Sequence, residues 1–337
     1  MSKVKNNCAY IPLRKEFLPE IRDYRFIILF EMVQLCTLTE AIMAIKIYTD
    51  ASSNLFEDIL KEKDKDIMVL PMQVDIDDKK YLCYSDEIHV NEFSKTFYEL
   101  MKEGHKPKTS LPNPGMFQEK MEEEIKNGNQ VIYVCLAGGI SGTYQTSTMI
   151  ANQINEEHQD TFVKVINSRT AGLGEGMIAM YAYDVSKEGL SLEDTAKKIE
   201  EYADKVRSEF VVDSLIYLTN TGRVSKLKAR IASVLSIKPL LYGSDEGKIE
   251  VTSLAHGKVK AMKKLAKQVN DHITDKNSKV YVSHCNVPEE AEKFKNMLSE
   301  YGIQDVEIYF YDLVTGAHVG PGTIAVFYEG RNRSLED

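Results

Sequence analysis

The feature that most constrains the fold is a regular alternation of short apolar segments with amphipathic ones, beginning at Ile45. Apolar runs at 45–48, 131–136 and 163–166 are each followed by a polar turn and a helical segment. Such alternation is typical of a mainly parallel sheet with right-handed crossover helices. The sequence therefore predicts an α/β protein that begins with a parallel α/β domain over residues 44–205.

The pattern changes after this domain, and a second, mixed α/β domain is predicted over residues 206–337. An apolar segment at 210–218 predicts a strand, and a short helix is expected at 227–235. Two apolar runs within 240–252 predict a hairpin around the turn Asp245-Glu246-Gly247. Later segments predict helices and strands in mixed order.

The residues before the alternating pattern, 1–43, are predicted to lie outside the fold. Their apolar stretch Phe26–Phe30 is interrupted by Glu31, is too short to span a membrane, and precedes no convincing cleavage site. We also hypothesise that residues 1–42 are not translated natively, which an intact mass of the native protein would test.

Composition narrows the function classes. A net charge of −9 argues against a nucleic-acid partner and against attachment to an anionic membrane surface. The five cysteines are scattered without a CxxC pair, and the seven histidines show no metal-binding spacing. We expect a cytoplasmic protein with reduced thiols, no metal and no stable membrane insertion.

Three strand-to-helix turns, at 50–53, 138–143 and 167–170, are rich in hydroxyls and glycine. In an open parallel sheet such turns meet at the carboxyl edge, where helix N-termini attract carboxylates or phosphates. Ordinary N-capping explains the same residue types, and the sequence leaves both interpretations open. The turn at 138–143 offers the hydroxyls of Ser141 and Thr143, but it is neither a Walker loop nor a nucleophile elbow.

Further candidates are dispersed along the chain. Thr109 and Ser110 precede a helix, and Arg223, in a polar turn, is able to pair with a carboxylate or phosphate. His318 lies in a predicted glycine loop, 316–322, where it is able to donate to an anion or act as an acid or base. A solvated arginine and a capping or core histidine are the alternatives.

Six short motifs taken together resemble the DegV family. They are YTDASS (48–53), KTSLP (108–112), ISGTYQ (140–145), GRVS (222–225), IKP (237–239) and HVGPG (318–322). They occur in the family's order and spacing over about residues 44–330. The chain departs from the family pattern at Ala137-Gly138, Leu111 and Asn167, where the family has Ser-Ser, Gln and Asp. These differences leave unchanged the residues that the family uses to hold its ligand, but they alter the residues around them.

The resemblance implies a DegV-like two-domain fold, with an N-terminal parallel α/β domain and a C-terminal mixed α/β domain. It implies a long-chain fatty acid bound between the domains, with its tail in an apolar tunnel and no other cofactor. It also implies a role as the fatty-acid-binding subunit of a bacterial fatty acid kinase. A separate ATP-dependent kinase would phosphorylate the bound carboxylate to acyl phosphate, and this chain would perform no chemistry itself.

The resemblance also implies which residues hold the head group. The residues implied to bind the carboxylate are Thr109, Ser110, Ser141, Gly142 and Thr143. Arg223 and His318 are implied at the mouth, near the head group or facing the kinase. One alternative is a hydrolase or acyltransferase using Ser141 and His318, disfavoured because no acidic residue that would orient the histidine is apparent. Another is a protein phosphorylated on His318.

Overall fold

A computed structural model of the chain describes residues 44–84, 90–158, 162–224 and 236–333. From Ala44 onward the chain forms one compact unit. The predictions for residues 1–43 and for a helix at 227–235 concern positions outside the described ranges. Within these ranges, no helix combines the length and apolar character needed to cross a membrane.

The N-terminal part contains a parallel sheet, as predicted. The strands of this N-terminal part are β1 (Ile45–Asp50), β2 (Met68–Leu70), β3 (Met72–Ile76), β4 (Lys79–Cys83), β5 (Lys108–Thr109), β6 (Gln130–Cys135) and β7 (Val163–Asn167). Its helices are α1 (Glu57–Glu62), α2 (Val90–Lys102), α3 (Pro114–Lys126), α4 (Thr143–Glu157), α5 (Leu173–Ser186) and α6 (Leu192–Ala203). Strands β2-β1-β6-β7 pair in parallel in that order. Strand β6 is almost entirely buried, which explains its nearly continuous apolar sequence.

A small antiparallel sheet, β4-β3-β5, accompanies the parallel one. The apolar run at 67–74 predicts one strand, but the structure divides it at Pro71 into β2 and β3. Proline has no N–H to donate to a sheet ladder, which accounts for the break. The division matters for the site because β3 pairs with β5, where Val74 stands opposite Thr109.

The C-terminal part is built on a mixed sheet. Its elements are β8 (Val206–Val211), α7 (Ile216–Asn220), β9 (Ile237–Gly243), β10 (Ile249–His256), α8 (Lys258–His272), β11 (Val280–His284), α9 (Pro288–Ser299), β12 (Val306–Phe310), α10 (Leu313–Val319) and β13 (Ile324–Glu329). The strand order is β10-β9-β8-β13-β11-β12, with β11 and β12 parallel and the other pairs antiparallel. The predicted hairpin is present as β9 and β10.

The strand predicted at 210–218 is wrong in its position. The strand runs over Val206–Val211, and Ile216–Asn220 form a short helix. Ser214 accounts for the change, because its hydroxyl accepts a hydrogen bond from the N–H of Ile216 at 3.2 Å. Side-chain bonds of this kind compete with a sheet ladder and start a turn. The change from parallel to mixed sheet falls near residue 205, and a division into two domains there stays a prediction.

Helix α5 lies between the two sheets. It contacts β1 and β6 of the parallel sheet and β8 and β13 of the mixed sheet. Its side chains are buried along most of its length, so it carries no wide polar face. One apolar cluster accordingly includes Ile132 from the first sheet, Ile178 from the helix and Phe210 from the second sheet.

A network of buried polar side chains joins the end of β1 to α5. Glu175 Oε1 accepts from the Thr49 hydroxyl at 2.9 Å, and Asp50 Oδ2 accepts from the Tyr133 hydroxyl at 2.8 Å. The Ser52 hydroxyl lies 2.5 Å from Asp50 Oδ1 and 3.0 Å from Glu175 Oε2. One hydroxyl donates only one hydrogen, so the second of these contacts requires a proton on a carboxyl group.

Burial favours the protonated form of both carboxyl groups. It raises the pKa of Asp50, and it raises the pKa of Glu175 well above its usual value. A raised pKa in the folded state means that the folded protein keeps the proton to higher pH than the unfolded chain. The stability that this proton provides is therefore present below the unfolded pKa and is lost as the pH rises toward the folded one.

Glu175→Gln should remove the part of this pH dependence that Glu175 contributes, because an amide keeps one acceptor for Thr49 and one donor for Ser52 without titrating. We expect the variant to gain on the wild type in free energy of unfolding by about 1.4 kcal/mol per pH unit above about pH 4.3. Urea unfolding across this pH range measures the difference. Glu175→Ala is the control that leaves the Thr49 hydroxyl without this acceptor while Ser52 keeps Asp50, and it should lose about 1–3 kcal/mol. A Glu175→Gln protein less stable than wild type at every pH would show that Glu175 is ionised in the fold.

Candidate functional site

A cavity of about 110 Å³ lies between the carboxyl edge of the parallel sheet and the mixed sheet. This is several times the roughly 10–15 Å³ that holds one water molecule. The predicted residues that line it are Thr109, Ser110, Ser141, Gly142, Arg223 and His318. These residues come from β5 and the residue after it, the β6–α4 turn, the segment after α7, and α10, so the fold gathers six of the seven predicted positions. Their roles in binding stay predictions.

Thr143, the seventh, does not line the cavity within the described residues. It is buried at the start of α4, and its hydroxyl oxygen lies 2.9 Å from that of Ser141. The N–H of Thr143 also donates to Ser141 Oγ at 3.3 Å. Thr143 is therefore hydrogen-bonded to Ser141, and a role of Thr143 in binding a carboxylate stays a prediction.

His318 is not in a loop, contrary to the sequence prediction. It lies in the last turn of α10, which begins where Asp312 Oδ1 accepts from the N–H of Thr315 at 2.6 Å. The helix has glycine at position 316 because a Cβ there would collide with the Tyr98 hydroxyl. Gly320, at φ +83°, ends the helix. The glycines thus reflect close helix packing and a helix end.

Only one of the two ring nitrogens of His318 has a hydrogen-bond partner among the described residues. Its Nε2 lies 2.9 Å from Thr109 Oγ1, and its Nδ1 has no hydrogen-bond partner in the described part of the chain. The Ser141 hydroxyl is hydrogen-bonded to Thr143, so in the described part Ser141 and His318 do not form a triad with an acidic residue. No group of three or more potential metal ligands comes together among the described residues.

Arg223 is a half-buried cation held by backbone carbonyls. Its Nε donates to Ile140 O at 3.2 Å, and one terminal nitrogen donates to Thr221 O at 2.5 Å. Burial lowers the pKa of Arg223, although a guanidinium of ordinary pKa above 12 still carries its charge at neutral pH. Within the described ranges no carboxylate pairs with it. Its charge therefore favours an anion in the cavity.

The glycines of the turn after β6 differ in their surroundings. A Cβ on Gly139 would lie 2.5 Å from Glu246 O, so this glycine admits the tip of the β9–β10 hairpin. A Cβ on Gly142 would meet nothing closer than the Leu111 side chain at 3.8 Å, so its lack of a side chain is not required for packing. The close backbone approach at Gly139 is therefore between two segments of the protein.

Two of the three hydroxyl-rich turns contribute residues to the cavity lining, and whether they bind a ligand stays a prediction. The turns after β6 and β7 contribute lining residues, including Ser141 and Thr170. The turn after β1 does not, within the described residues, because Asp50 and Ser52 are engaged in the buried network with Glu175. Its polar residues are satisfied internally.

The apolar wall of the cavity was not identified from the sequence as part of a site. Met72, Phe210, Leu218, Ile249 and Val314 line it, and they come from distant segments of the chain. Each looks like an ordinary core residue in its local pattern. No local signal distinguishes a residue facing a cavity from one facing a filled core.

Comparison with known proteins gives consistent results. A family model described as an uncharacterised protein of the DegV family matches residues 44–331. A DegV domain-containing protein of Clostridium perfringens is 34% identical over 286 residues, covering 84% of this chain and 97% of the relative.

Solved structures agree. The chain is similar to a fatty acid binding DegV family protein from Streptococcus agalactiae, with a TM-score of 0.74 and 28% identity over 86% of this chain and 100% of that one. It is also similar to DegV, a fatty acid binding protein from Bacillus subtilis, with a TM-score of 0.71 and 27% identity over 86% of this chain and 100% of that one.

The protonation of His318 gives a test of this site. Burial and then the nearby charge of Arg223 lower the pKa of His318 to about 4, so the ring is neutral at neutral pH. An NMR titration should place its midpoint far below that of His105, whose pKa is raised by Asp77. Arg223→Gln should move the His318 midpoint upward because it removes one of the two causes. A wild-type midpoint near the usual value of about 6.5 would contradict this description.

Proposed function

Because this chain belongs to the DegV family, we propose that it binds a long-chain fatty acid in the cavity. The carboxylate is held by the hydroxyls of Thr109, Ser110 and Ser141 and by the charge of Arg223, and the acyl chain lies along the apolar wall. The solved relatives from Streptococcus agalactiae and Bacillus subtilis are described as fatty acid binding.

The observation that supports this most is the combination of an unpaired cation with an apolar cavity. Arg223 has no carboxylate partner among the described residues, while Phe210, Leu218 and Val314 line the same space. A ligand that suits both must be anionic at one end and apolar along its length. A buried anion needs hydrogen bonds as well as charge, and the hydroxyls of Thr109 and Ser141 provide them.

The energetics fit a long chain. Each buried methylene contributes about 0.8 kcal/mol, so the tail provides most of the affinity and the head group fixes orientation. The cavity volume of about 110 Å³ is below the roughly 300–1,000 Å³ of most ligand pockets. A long acyl chain therefore requires apolar side chains such as Met72 and Phe210 to move apart. Binding then couples to their rearrangement.

We further propose that the bound acid is presented to an ATP-dependent kinase subunit. A carboxylate oxygen attacks the γ-phosphorus of ATP held by the kinase, ADP leaves, and an acyl phosphate remains. Ser110 and Gly142 line the cavity and are also exposed to solvent, which supports access of a partner to the head group. The free, buried thiols Cys83, Cys135 and Cys285 suit the reducing cytoplasm, where ATP is available.

The binding proposal is tested by organic extraction of the purified protein followed by mass spectrometry, which should recover a long-chain fatty acid. Ser141→Ala removes one charge-assisted hydrogen bond worth about 1.5–3 kcal/mol, so the dissociation constant should rise about 10- to 100-fold. Ser299→Ala is the matched control, because Ser299 lies on α9 and bonds to Lys295 O. Equal affinity of wild type and Ser141→Ala would reject Ser141 as a ligand.

The presentation proposal is tested by Arg223→Ala in a reconstituted reaction with the cognate kinase. We expect acyl-phosphate formation to fall more than lipid occupancy, because the guanidinium also faces the negative charge that develops during phosphoryl transfer. Turnover at saturating fatty acid separates the two effects. Equal losses of occupancy and turnover would restrict Arg223 to lipid binding.

A further inference from the structure

The cavity extends along the β8 strand, and the sheet register shows what lies beyond Phe210. Residues two apart on a strand face the same side, so Ser208 and Phe210 share the face toward the cavity, and both line it. Phe210 is paired with Leu241 on β9, whereas Gly243, two residues further along β9, is paired with Ile249 on β10. Phe210 and Leu241 thus form one row across the sheet.

The next row consists of Ser208, Gly243 and Ile249, all of which line the cavity. A Cβ built on Gly243 would lie 4.0 Å from Ser208 Cβ, which places these two residues side by side. Two residues along a strand span about 6.6 Å. The cavity continues over this distance past Phe210 because Ser208 and Gly243 have almost no side chain to fill it.

The row of small residues lies at the end opposite the proposed carboxylate site. At the carboxylate end, Arg223 donates to Ile140 O. At the other end, a Cβ on Gly247 would contact Ala137, three residues earlier in the same turn. Leu218 and Arg223 also follow the C-terminal end of β8, whereas Ser208 is near its start. The cavity therefore has a carboxylate end and a distal end.

The two charged residues that line the distal end within the described ranges are each in an ion pair, and nearby Arg333 does not line the cavity and donates to the carbonyls of Arg169 and Ala203. Arg169 forms an ion pair with Asp204, and Lys248 forms one with Glu246. Ile249 adds an apolar side chain. A surface of this kind accepts an apolar terminus, because charges already paired gain nothing from a second polar group.

We propose that Ser208 and Gly243 form a distal chamber that receives the methyl end of the bound acid and sets the longest acyl chain that fits. This inference rests on the proposed fatty-acid-binding function and adds the determinant of its chain-length preference.

Side chains introduced at these two positions should shorten the preferred acid. Gly243 is free of positive φ, and a new Cβ there would lie 3.7 Å from Arg169 O and 4.0 Å from Arg333 and Ser208, so an alanine makes only ordinary contacts. Gly243→Val and Ser208→Leu fill the chamber, and Gly243→Ala is the milder variant should either fail to fold. Ile249→Ala enlarges the chamber and should favour longer acids. A shorter preferred acid in the filled variants together with a longer one in Ile249→Ala indicates a steric limit on chain length.

The control is Glu250→Val on β10. Glu250 is paired with Tyr242, and neither lines the cavity. It changes size and β-branching on the opposite face of the same strand pair, so it should leave chain-length preference unchanged.

The experiment is competition among saturated acids of graded length, mixed in equal amounts with each protein and quantified after extraction by mass spectrometry. Each methylene that no longer fits should lower relative occupancy about fourfold, equivalent to about 0.8 kcal/mol. An unchanged length profile in Gly243→Val, Gly243→Ala and Ile249→Ala, with wild type fully loaded, would overturn the chamber alone. A wild type that takes up no acid of any length would overturn the fatty-acid proposal as well.

Discussion

The close contact between two turns holds the cavity in place. Gly139, in the β6–α4 turn, lies against the backbone of the β9–β10 hairpin tip, with no room for a Cβ between them. Arg223 links the same β6–α4 turn to the mixed sheet a second time through Ile140 O. Consecutive residues of this turn therefore contact the β9–β10 hairpin and the segment after α7. The cavity lies beside the turn and includes Ala137, Ile140 and Ser141 in its lining.

The carboxyl edge of the parallel sheet serves two purposes. After β1, Asp50 and Ser52 are satisfied within the protein by Tyr133 and Glu175. After β6, the Ser141 hydroxyl faces a cavity that also contains a cation with no internal carboxylate in the described part. Polar residues of the same kind are therefore bonded within the core in one turn and line the cavity in the next.

Much of the local structure follows from the sequence because its causes are local. The buried strand β6 has a continuous apolar run, and the β9–β10 hairpin surrounds a turn with glycine at position 247, where φ is +69°. The errors also have local causes that periodicity alone does not reveal. Pro71 divides one apolar run into two strands, and Ser214 starts a helix where the apolar pattern suggests a continuing strand. His318 lies in a helix whose glycine is needed for packing against Tyr98.

The sequence by itself determined the order of strands and helices, and it supplied the hydroxyls, the arginine and the histidine that line the cavity. It did so because periodicity and turn chemistry act over neighbouring residues. Only the tertiary structure decided which of these groups meet, as with Thr109 and His318, which lie 209 positions apart and 2.9 Å from each other. It also decided that Arg223 lacks a carboxylate partner among the described residues, and that small residues beyond Phe210 leave space. These properties depend on contacts between distant segments, and no local pattern encodes them.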